Sequence, residues 1–175
     1  MMNNTNLVIN TERFYLRVIN TDDVNKKYSD WLSDPISSEF ITVKPDIKEL
    51  KEYVRKKIAK QDTLFLAIHS IINKLHIGNI KYEPVDIENK YAIMGILIGD
   101  QSWWGKGVAI EVIIASAKFL TEEYHNEEII LGVKESNISA IKAYKKIGFD
   151  FCSSKYIEQE SNSSLTMTLK TKSLY

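Results

Sequence analysis

The stretch that decides the fold covers residues 91–109 and reads YAIMGILIGDQSWWGKGVA. Its first eight residues, 91–98, are almost all apolar, which is typical of a strand buried on both faces in the centre of a sheet. Four of the seven glycines in the chain lie between Gly95 and Gly107. The sequence beyond them predicts a long helix over residues 107–124. The stretch therefore predicts a strand, a glycine-rich turn and a helix in direct succession.

This succession predicts a site for an anion. A helix start leaves backbone N–H groups unpaired, and the helix dipole favours negative charge there. Glycines at 105 and 107 allow positive φ and close approach of a ligand, so residues 104–109 suit a pyrophosphate. The alternative is a tight turn that merely requires glycine. A Walker loop is excluded because Gly107 follows Lys106, and a dinucleotide fingerprint is excluded because Ile110 replaces its third glycine.

Outside this stretch, the hydrophobic pattern predicts a mixed sheet and three more helices. The predicted strands cover residues 14–19, 63–69, 76–82, 128–133, 149–157 and 165–170. The predicted helices cover residues 24–34, 45–58 and 137–147, the first of them capped by residues 21–23. The resulting order, β-α-α-β-β-β-α-β-α-β-β, predicts an α/β protein with a mixed sheet. It excludes a doubly wound nucleotide-binding fold and a β-sandwich.

Composition limits the class of protein further. A length of 175 residues predicts one domain, residues 1–175. The 23 Lys+Arg balance the 23 Asp+Glu, which disfavours a general nucleic-acid-binding protein. The lone cysteine, Cys152, suits a reducing compartment and is interpreted as a buried strand thiol. No apolar run approaches the ~20 residues that span a bilayer. We therefore expect a soluble, cytoplasmic protein without a membrane partner.

A second motif, residues 137–149, reads NISAIKAYKKIGF. Asn137 and Tyr144 are seven residues apart, so they lie on one helix face two turns apart. Ala140, between them, leaves room on that face for a ligand. Tyr144 either packs in the core or presents its hydroxyl to a reaction centre, and the sequence leaves both interpretations open.

Together the two motifs resemble the GNAT N-acetyltransferase superfamily. Its pyrophosphate loop reads Gln/Arg-x-x-Gly-x-Gly/Ala, which residues 104–109 match at every position but the first. Trp104 at that position resembles the RimJ/RimL-type branch. Residues 137–149 match the pattern Asn-x-x-Ala-x-x-x-Tyr-x-Lys-x-Gly-Phe in full. The resemblance is strongest over residues 77–150, and it implies a mostly antiparallel sheet with splayed central strands and about four flanking helices.

The resemblance implies acetyl-CoA as co-substrate. We expect it to bind without a metal, because the sequence offers a backbone anion cradle and no cluster of metal ligands. The pantetheine arm of acetyl-CoA would pair with the main chain of Ile96, Leu97 and Ile98. Backbone N–H groups of the loop would hold the pyrophosphate, and those residues are Trp104, Gly105, Lys106, Gly107, Val108 and Ala109. Asn137 would hydrogen-bond the arm or a nearby water. The basic turn formed by Lys142, Lys145 and Lys146 would meet the 3′-phosphate, or it is a solvated face.

The reaction implied is direct attack by a primary amine on the thioester within a ternary complex. Tyr144 would donate the proton to the departing thiolate. Many relatives place a glutamate base on the central strand, but the corresponding residue here is Ile93. Glu83, Asp86 and Glu135 are candidate bases, although a solvated surface charge is the simpler interpretation of each. A chain of water molecules is the alternative base.

The acceptor is less defined by the sequence. Residues 77–81 and 95–100 resemble relatives that acetylate amino-sugar nucleotides, while a protein N-terminus is the alternative acceptor. The lysine-rich N-terminal helices disfavour a polyamine. A CoA-binding module without turnover is the alternative from another class. Zero net charge and an apolar sheet edge predict a homodimer.

Two further groups of side chains have both a structural and a functional interpretation. His69, His76 and His125 show no metal-ligand spacing, although His69 and His76 could meet across a hairpin. Aromatic residues of the N-terminal helices either line the acceptor side or pack in the core, and they are Tyr28, Trp31 and Tyr53.

Overall fold

The computed structural model describes residues 6–34, 45–157 and 164–175. Within these ranges the chain forms one eight-stranded sheet and four α-helices. The strands are β1 (Val8–Asn10), β2 (Phe14–Val18), β3 (Leu64–Ser70), β4 (His76–Asp86), β5 (Tyr91–Ile98), β6 (Glu128–Lys134), β7 (Asp150–Phe151) and β8 (Ser164–Lys170). The helices are α1 (Lys26–Ser33), α2 (Ile47–Ile58), α3 (Val108–Tyr124) and α4 (Ile138–Ile147).

The sheet has the strand order β1-β2-β3-β4-β5-β6-β8-β7. β5 and β6 pair in parallel, and every other neighbouring pair is antiparallel. The predicted mixed, mostly antiparallel sheet is confirmed, and the apolar run at 91–98 is an interior strand as expected. No helix within the described ranges has the length and apolar character needed to cross a bilayer.

The two central strands diverge part of the way along their length. Residues 91–93 of β5 pair with residues 128–130 of β6. Beyond that point β5 continues to Ile98 beside β4, while β6 continues to Lys134 beside β8. The expected splay is confirmed, and it opens a gap in the sheet on the carboxyl side of Ile93.

Helices cover both faces of the sheet, and the alternation along β3 shows which residues face each layer. Leu64, Leu66 and Ile68 join the core that contains α3 and α4. Phe65 and Ala67 join a second core that contains α1 and α2. Every residue of β3 is buried, because apolar side chains on both faces of the strand are covered.

Trp31 of α1 belongs to the second core rather than to an exposed acceptor surface. It is only 6% exposed and packs directly on Gly99, where a Cβ atom would lie 2.0 Å from its ring. Lys27 adds an ion pair to Asp100 at 2.9 Å. These contacts fix α1 against the end of β5. Tyr28 is also buried in this core.

Two local predictions are corrected, and one strand was missed. Residues 21–23 do not cap α1, because the Asp23 carboxylate pairs with Arg17 at 2.6 Å and Asn25 caps the helix instead. The predicted strand at 149–157 is limited to β7, which pairs for two residues with β8. The edge strand β1 was not predicted, since three residues are too few to show a period of two.

Candidate functional site

A cavity of about 500 Å³ lies where β5 leaves β6. It is enclosed by the end of β5, the turn before α3, the first turn of α3 and one face of α4. Tyr144 and the residues predicted to bind CoA line it, except Lys106 and Lys145. These lining residues are Ile96, Leu97, Ile98, Trp104, Gly105, Gly107, Val108, Ala109, Asn137, Lys142, Tyr144 and Lys146. The cavity also includes residues given no role from sequence, which are Trp103, Ile110, Ser139 and Ala143.

The pairing of β5 with β4 determines which main-chain N–H and carbonyl groups of β5 point toward β4 and which point away from it. The N–H of Gly99 donates to the carbonyl oxygen of Ile77 at 3.0 Å. In an antiparallel pair, bonded positions alternate with unbonded ones. The main chain of Leu97 therefore pairs with β4, two residues before Gly99, whereas Ile96 and Ile98 turn their main-chain groups away from β4.

One of these outward groups is already occupied. The indole Nε1 of Trp104 donates to the carbonyl oxygen of Ile98 at 2.7 Å. The groups left facing the gap are the N–H and carbonyl of Ile96 and the N–H of Ile98. Leu97 lines the cavity without offering main-chain groups to it, which corrects the expectation that all three residues would do so.

The glycine turn has the backbone conformation expected of it. Gly105 and Gly107 have φ of +70° and +75°, a region that L side chains rarely adopt. Gly107 is the N-cap of α3 and supplies no side-chain cap, so the N–H groups of the first turn, starting at Val108, lack intrahelical partners. The N–H of Trp104 donates to the carbonyl oxygen of Gln101 at 3.0 Å, so it is not available to a ligand. The anion donors therefore begin at Gly105.

Lys106 does not extend its side chain into the cavity. Its ammonium lies 5.6 Å from the centre of the Trp103 ring, and its carbonyl oxygen accepts a hydrogen bond from Arg13 Nη1 at 2.9 Å. Only its main-chain N–H is placed to belong to the turn. The expectation for Lys106 therefore applies to its backbone alone.

A bridge between the β1–β2 turn and α3 holds the glycine turn, and no local sequence pattern indicated it. Glu111, in the first turn of α3, accepts from Arg13 Nε at 2.7 Å and from the Arg13 N–H at 2.8 Å. It also accepts from Thr11 Oγ1 at 2.6 Å. Because Arg13 bonds Lys106 as well, one guanidinium ties the glycine turn to the helix that follows it. The guanidinium Nη2 lies 3.7 Å from where a Cβ at Gly107 would stand.

One face of α4 forms the opposite wall. Asn137 is the N-cap of α4, and its Oδ1 accepts from the Ala140 N–H at 3.2 Å. Its amide nitrogen remains as the group that could donate to a ligand. The side chains of Ala140 and Ala143 are small, which leaves the groove open between Asn137 and Tyr144 as the spacing predicted.

The three lysines of α4 do not act as one patch. Lys142 and Lys146, one turn apart, line the cavity. Lys145 faces away from it, pairing with Asp150 at 2.8 Å and lying 4.4 Å from the centre of the Phe151 ring. The cavity therefore receives two of the three positive charges.

Tyr144 is a core residue that also borders the cavity. It is 8% exposed, belongs to the core beneath α3 and α4, and packs against Phe149 with ring centres 5.7 Å apart. It also lines the cavity. Burial raises its pKa to about 12, so the hydroxyl keeps its proton at neutral pH. Among the described residues, no side chain or carbonyl accepts that proton.

Glu83 is not a base that works near neutral pH. Its carboxylate lies 2.6, 2.7 and 2.8 Å from the ammonium groups of Lys57, Lys60 and Lys81. Burial by itself raises the pKa of Glu83, but these three hydrogen bonds outweigh burial and lower the pKa to about 2. The carboxylate therefore stays ionised and fully engaged.

The other candidate bases also lie outside the cavity. Asp86 accepts from the N–H and the amide of Asn89, and these bonds lower its pKa. Glu135 is exposed in the turn after β6. Ile93 pairs with Ile130 at the last parallel position. Among the described lining residues there is no Asp or Glu.

His69 and His76 do meet across the β3–β4 hairpin, with stacked rings 5.1 Å apart. Burial lowers the pKa of both imidazoles. His76 Nε2 lies 2.9 Å from Asn79 Oδ1, which makes it part of the sheet's polar packing. No three His, Cys, Asp or Glu side chains in the described ranges group together as metal ligands.

Comparison with known proteins shows which family the chain matches. The sequence profile of the acetyltransferase (GNAT) domain matches residues 13–150, a range that contains every predicted site residue. No curated protein gives a significant match to the chain.

Solved structures share the fold at low sequence identity. One is the ribosomal-protein-S5-alanine acetyltransferase from Vibrio fischeri, with 11% identity, a TM-score of 0.76, and 97% of this chain aligned to 100% of that one. Another is the spermidine N-acetyltransferase from Vibrio cholerae in complex with CoA and spermine, with 18% identity, a TM-score of 0.73, and coverage of 92% and 97%. A GNAT acetyltransferase from Bacillus anthracis has 16% identity and a TM-score of 0.72, with coverage of 95% and 99%.

Proposed function

The chain belongs to the acetyltransferase (GNAT) family, and from that premise we propose that it transfers the acetyl group of acetyl-CoA to a primary amine by direct attack within a ternary complex. The observation that carries the proposal is a single cavity lined by the glycine turn, the outward main chain of β5 and Tyr144. These are an anion cradle, an edge for an extended amide-bearing chain and a proton-bearing hydroxyl. The proposal assigns them to the pyrophosphate, the pantetheine arm and the sulfur of acetyl-CoA.

The residues present fit such a ligand. The N–H groups from Gly105 into the first turn of α3 would hold the pyrophosphate, because they have no partner within the helix. Lys142 and Lys146 would add positive charge beside a phosphate. The free main-chain groups of Ile96 and Ile98 would pair with amides, as a further strand would.

The chemistry needs two sites of stabilisation from the chain. Acetyl-CoA, when bound, supplies a thioester as acyl donor. An outward N–H of β5, such as that of Ile96, would donate to the carbonyl oxygen on which negative charge develops. Tyr144 would donate a hydrogen bond to the sulfur as the carbon–sulfur bond breaks and the carbon–nitrogen bond forms. Because its pKa of about 12 exceeds that of a thiol, ~8.5, Tyr144 acts through this bond rather than by ionising.

The amine must lose one proton before it attacks, and we propose that water removes it. No carboxylate lies among the described lining residues, and Glu83 is held in ion pairs. The proton then leaves to solvent, and a second amine proton ends on the sulfur as the amide forms. Turnover should therefore rise with pH as the fraction of neutral amine rises.

The acceptor we propose is an amino-sugar nucleotide, supported by the resemblance of residues 77–81 and 95–100 to relatives with that substrate. A protein N-terminus is the alternative. The test is release of free CoA thiol from acetyl-CoA in the presence of a panel of amines, including an amino-sugar nucleotide and an N-terminal alanyl peptide. Thiol release that depends on no amine in the panel would contradict the transferase proposal.

Acetyl-CoA is expected to bind without a metal, because main-chain N–H groups and lysines provide the charge complement. Isothermal titration calorimetry in EDTA should give a measurable Kd for acetyl-CoA. Removal of the 3′-phosphate should weaken binding at least about tenfold if Lys142 and Lys146 contact it, since a hydrogen bond to a charged group contributes ~1.5–3 kcal/mol. Absence of both heat and a thermal shift in EDTA would overturn this expectation.

Arg13→Met is expected to weaken acetyl-CoA binding about fivefold, or ~1 kcal/mol. The change removes the tie between Lys106 and Glu111, and the half-exposed Arg13 limits the size of the effect. Calorimetric Kd values would measure it. The control is Arg55→Met, which breaks an exposed ion pair to Glu52 on α2 and should leave Kd unchanged. Equal Kd values for both variants would show that the bridge does not hold the turn in its binding form.

The predicted homodimer remains a prediction. Sedimentation velocity at working concentration would test it.

A further inference from the structure

On the α2 side of the sheet, three lysines surround one carboxylate. Lys57 and Lys60 come from the end of α2 and the turn after it, and Lys81 and Glu83 come from β4. Every ammonium lies within 2.8 Å of Glu83. We call these four residues the lysine cluster.

The lysine cluster carries more positive than negative charge. Three cations and one anion leave an excess of two, and Asp62, which acts on Lys60 electrostatically, reduces the excess to one. The side chains of Lys57 and Lys81 are only 22% and 23% exposed. Uncompensated charge is costly where water is partly excluded, so an added anion would be favourable there.

The cluster reaches the open edge of the central strand. Lys81 lies directly opposite Gly95 of β5 and opposite Phe65 of β3. Since Phe65 packs into the α1–α2 core, Lys81 extends on that same face. A Cβ at Gly95 would meet no atom within 4 Å, so space is open beside Lys81 at the point where β5 has left β6.

The same lysine also contacts an aromatic side chain on α2. Lys81 Nζ donates to the Tyr53 hydroxyl at 2.8 Å. This bond holds the ammonium between Tyr53 and Glu83 instead of letting it extend into solvent. The Tyr53 hydroxyl therefore belongs to this polar surface, while its ring packs against the core that contains Tyr28 and Trp31.

We propose that the lysine cluster binds an anionic group, a phosphate or a carboxylate, carried by the acceptor amine. The inference rests on the proposed function, because it places the acceptor on the face of β5 opposite the α3–α4 layer. A polycationic acceptor such as a polyamine would meet a surplus of like charge there. An acceptor that bears both an amine and an anion would place the anion on the cluster and the amine at the gap.

The test compares small amines that differ in charge. The probes are ethanolamine, O-phosphoethanolamine, β-alanine and spermidine, each assayed by thiol release at saturating acetyl-CoA. The phosphate and carboxylate probes should have kcat/KM at least about tenfold above ethanolamine, and their ratio distinguishes the two anions. Equal values for charged and neutral probes, or a preference for spermidine, would overturn the inference.

Substitutions in the lysine cluster test whether the anionic group of the acceptor binds there. Lys60→Gln, at a half-exposed position where loss of folding is not expected, should reduce the preference for the anionic probes by about fivefold through KM, with KM for acetyl-CoA unchanged. Lys81→Gln should reduce it further. The matched control is Lys56→Gln on the same helix, which lies outside the cluster and is 73% exposed. An anion preference that survives both cluster substitutions would place the anion elsewhere and overturn the assignment.

A binding measurement separates this inference from the proposed function. O-phosphoethanolamine is titrated by calorimetry into the protein saturated with CoA, so that the glycine turn is already filled. Binding that Lys81→Gln weakens supports the cluster even if no amine in the panel is acetylated. No binding, together with efficient acetylation of neutral amines, rejects the cluster while leaving the transferase proposal in place.

Discussion

Gly107→Val is expected to weaken acetyl-CoA binding by at least about a hundredfold, or ~2.7 kcal/mol. Gly107 has φ of +75°, which a β-branched residue adopts only with strain of ~1–3 kcal/mol. Relief of that strain would rotate the peptide groups whose N–H bonds form the cradle at the start of α3. The new Cβ would lie 3.7 Å from the Arg13 guanidinium, which is an ordinary van der Waals contact, so the expected loss comes from the backbone. Calorimetry with acetyl-CoA would measure the loss.

A control for strain is available in the same chain. Gly148, the C-cap of α4, has φ of +108° and lies outside the turn. Gly148→Val should lower the melting temperature while the folded protein still binds acetyl-CoA. If Gly107→Val also binds normally, the pyrophosphate assignment is wrong.

Tyr144→Phe is expected to reduce kcat by about 10–100-fold and to leave the acetyl-CoA Kd within about twofold. Phenylalanine keeps the ring packing against Phe149, so the change removes only the hydroxyl. A hydrogen bond to a developing anion is worth ~1.5–3 kcal/mol, which corresponds to this range of rates. Steady-state kinetics at saturating acetyl-CoA would measure the effect.

The raised pKa of Tyr144 also predicts how kcat depends on pH. A hydroxyl with a pKa of about 12 stays protonated below that pH, so kcat of the wild-type protein should not fall between about pH 8 and 10. The ordinary tyrosine pKa of ~10 would predict a decline there.

The matched control for Tyr144→Phe is Tyr124→Phe, at a half-buried tyrosine of α3 outside the cavity. Equal kcat for Tyr144→Phe and Tyr124→Phe would reduce Tyr144 to a packing residue.

Local sequence patterns were sufficient for the parts of the site that one element supplies. The apolar run at 91–98 predicted the interior strand, because burial on both faces excludes polar side chains. Gly105 and Gly107 predicted the positive φ values of the turn, since few other residues adopt them. The seven-residue spacing of Asn137 and Tyr144 placed both on one face of α4, because helix periodicity is fixed by the backbone.

Tertiary structure decided everything that depends on pairing between distant segments. The bond from Arg13 to Glu111 joins residues 98 apart, and no local pattern encodes it. The strand register with β4 determines that Ile96 rather than Leu97 faces the gap, because main-chain bonding alternates and one residue's shift would exchange the two. The sequence predicted Glu83 as a candidate base, but in the structure it lies at the centre of the lysine cluster. The reason is that α2, the turn after it and β4 bring three ammonium groups to its carboxylate. Sequence thus determines which chemical groups the chain possesses, whereas long-range packing determines which of them remain free to act.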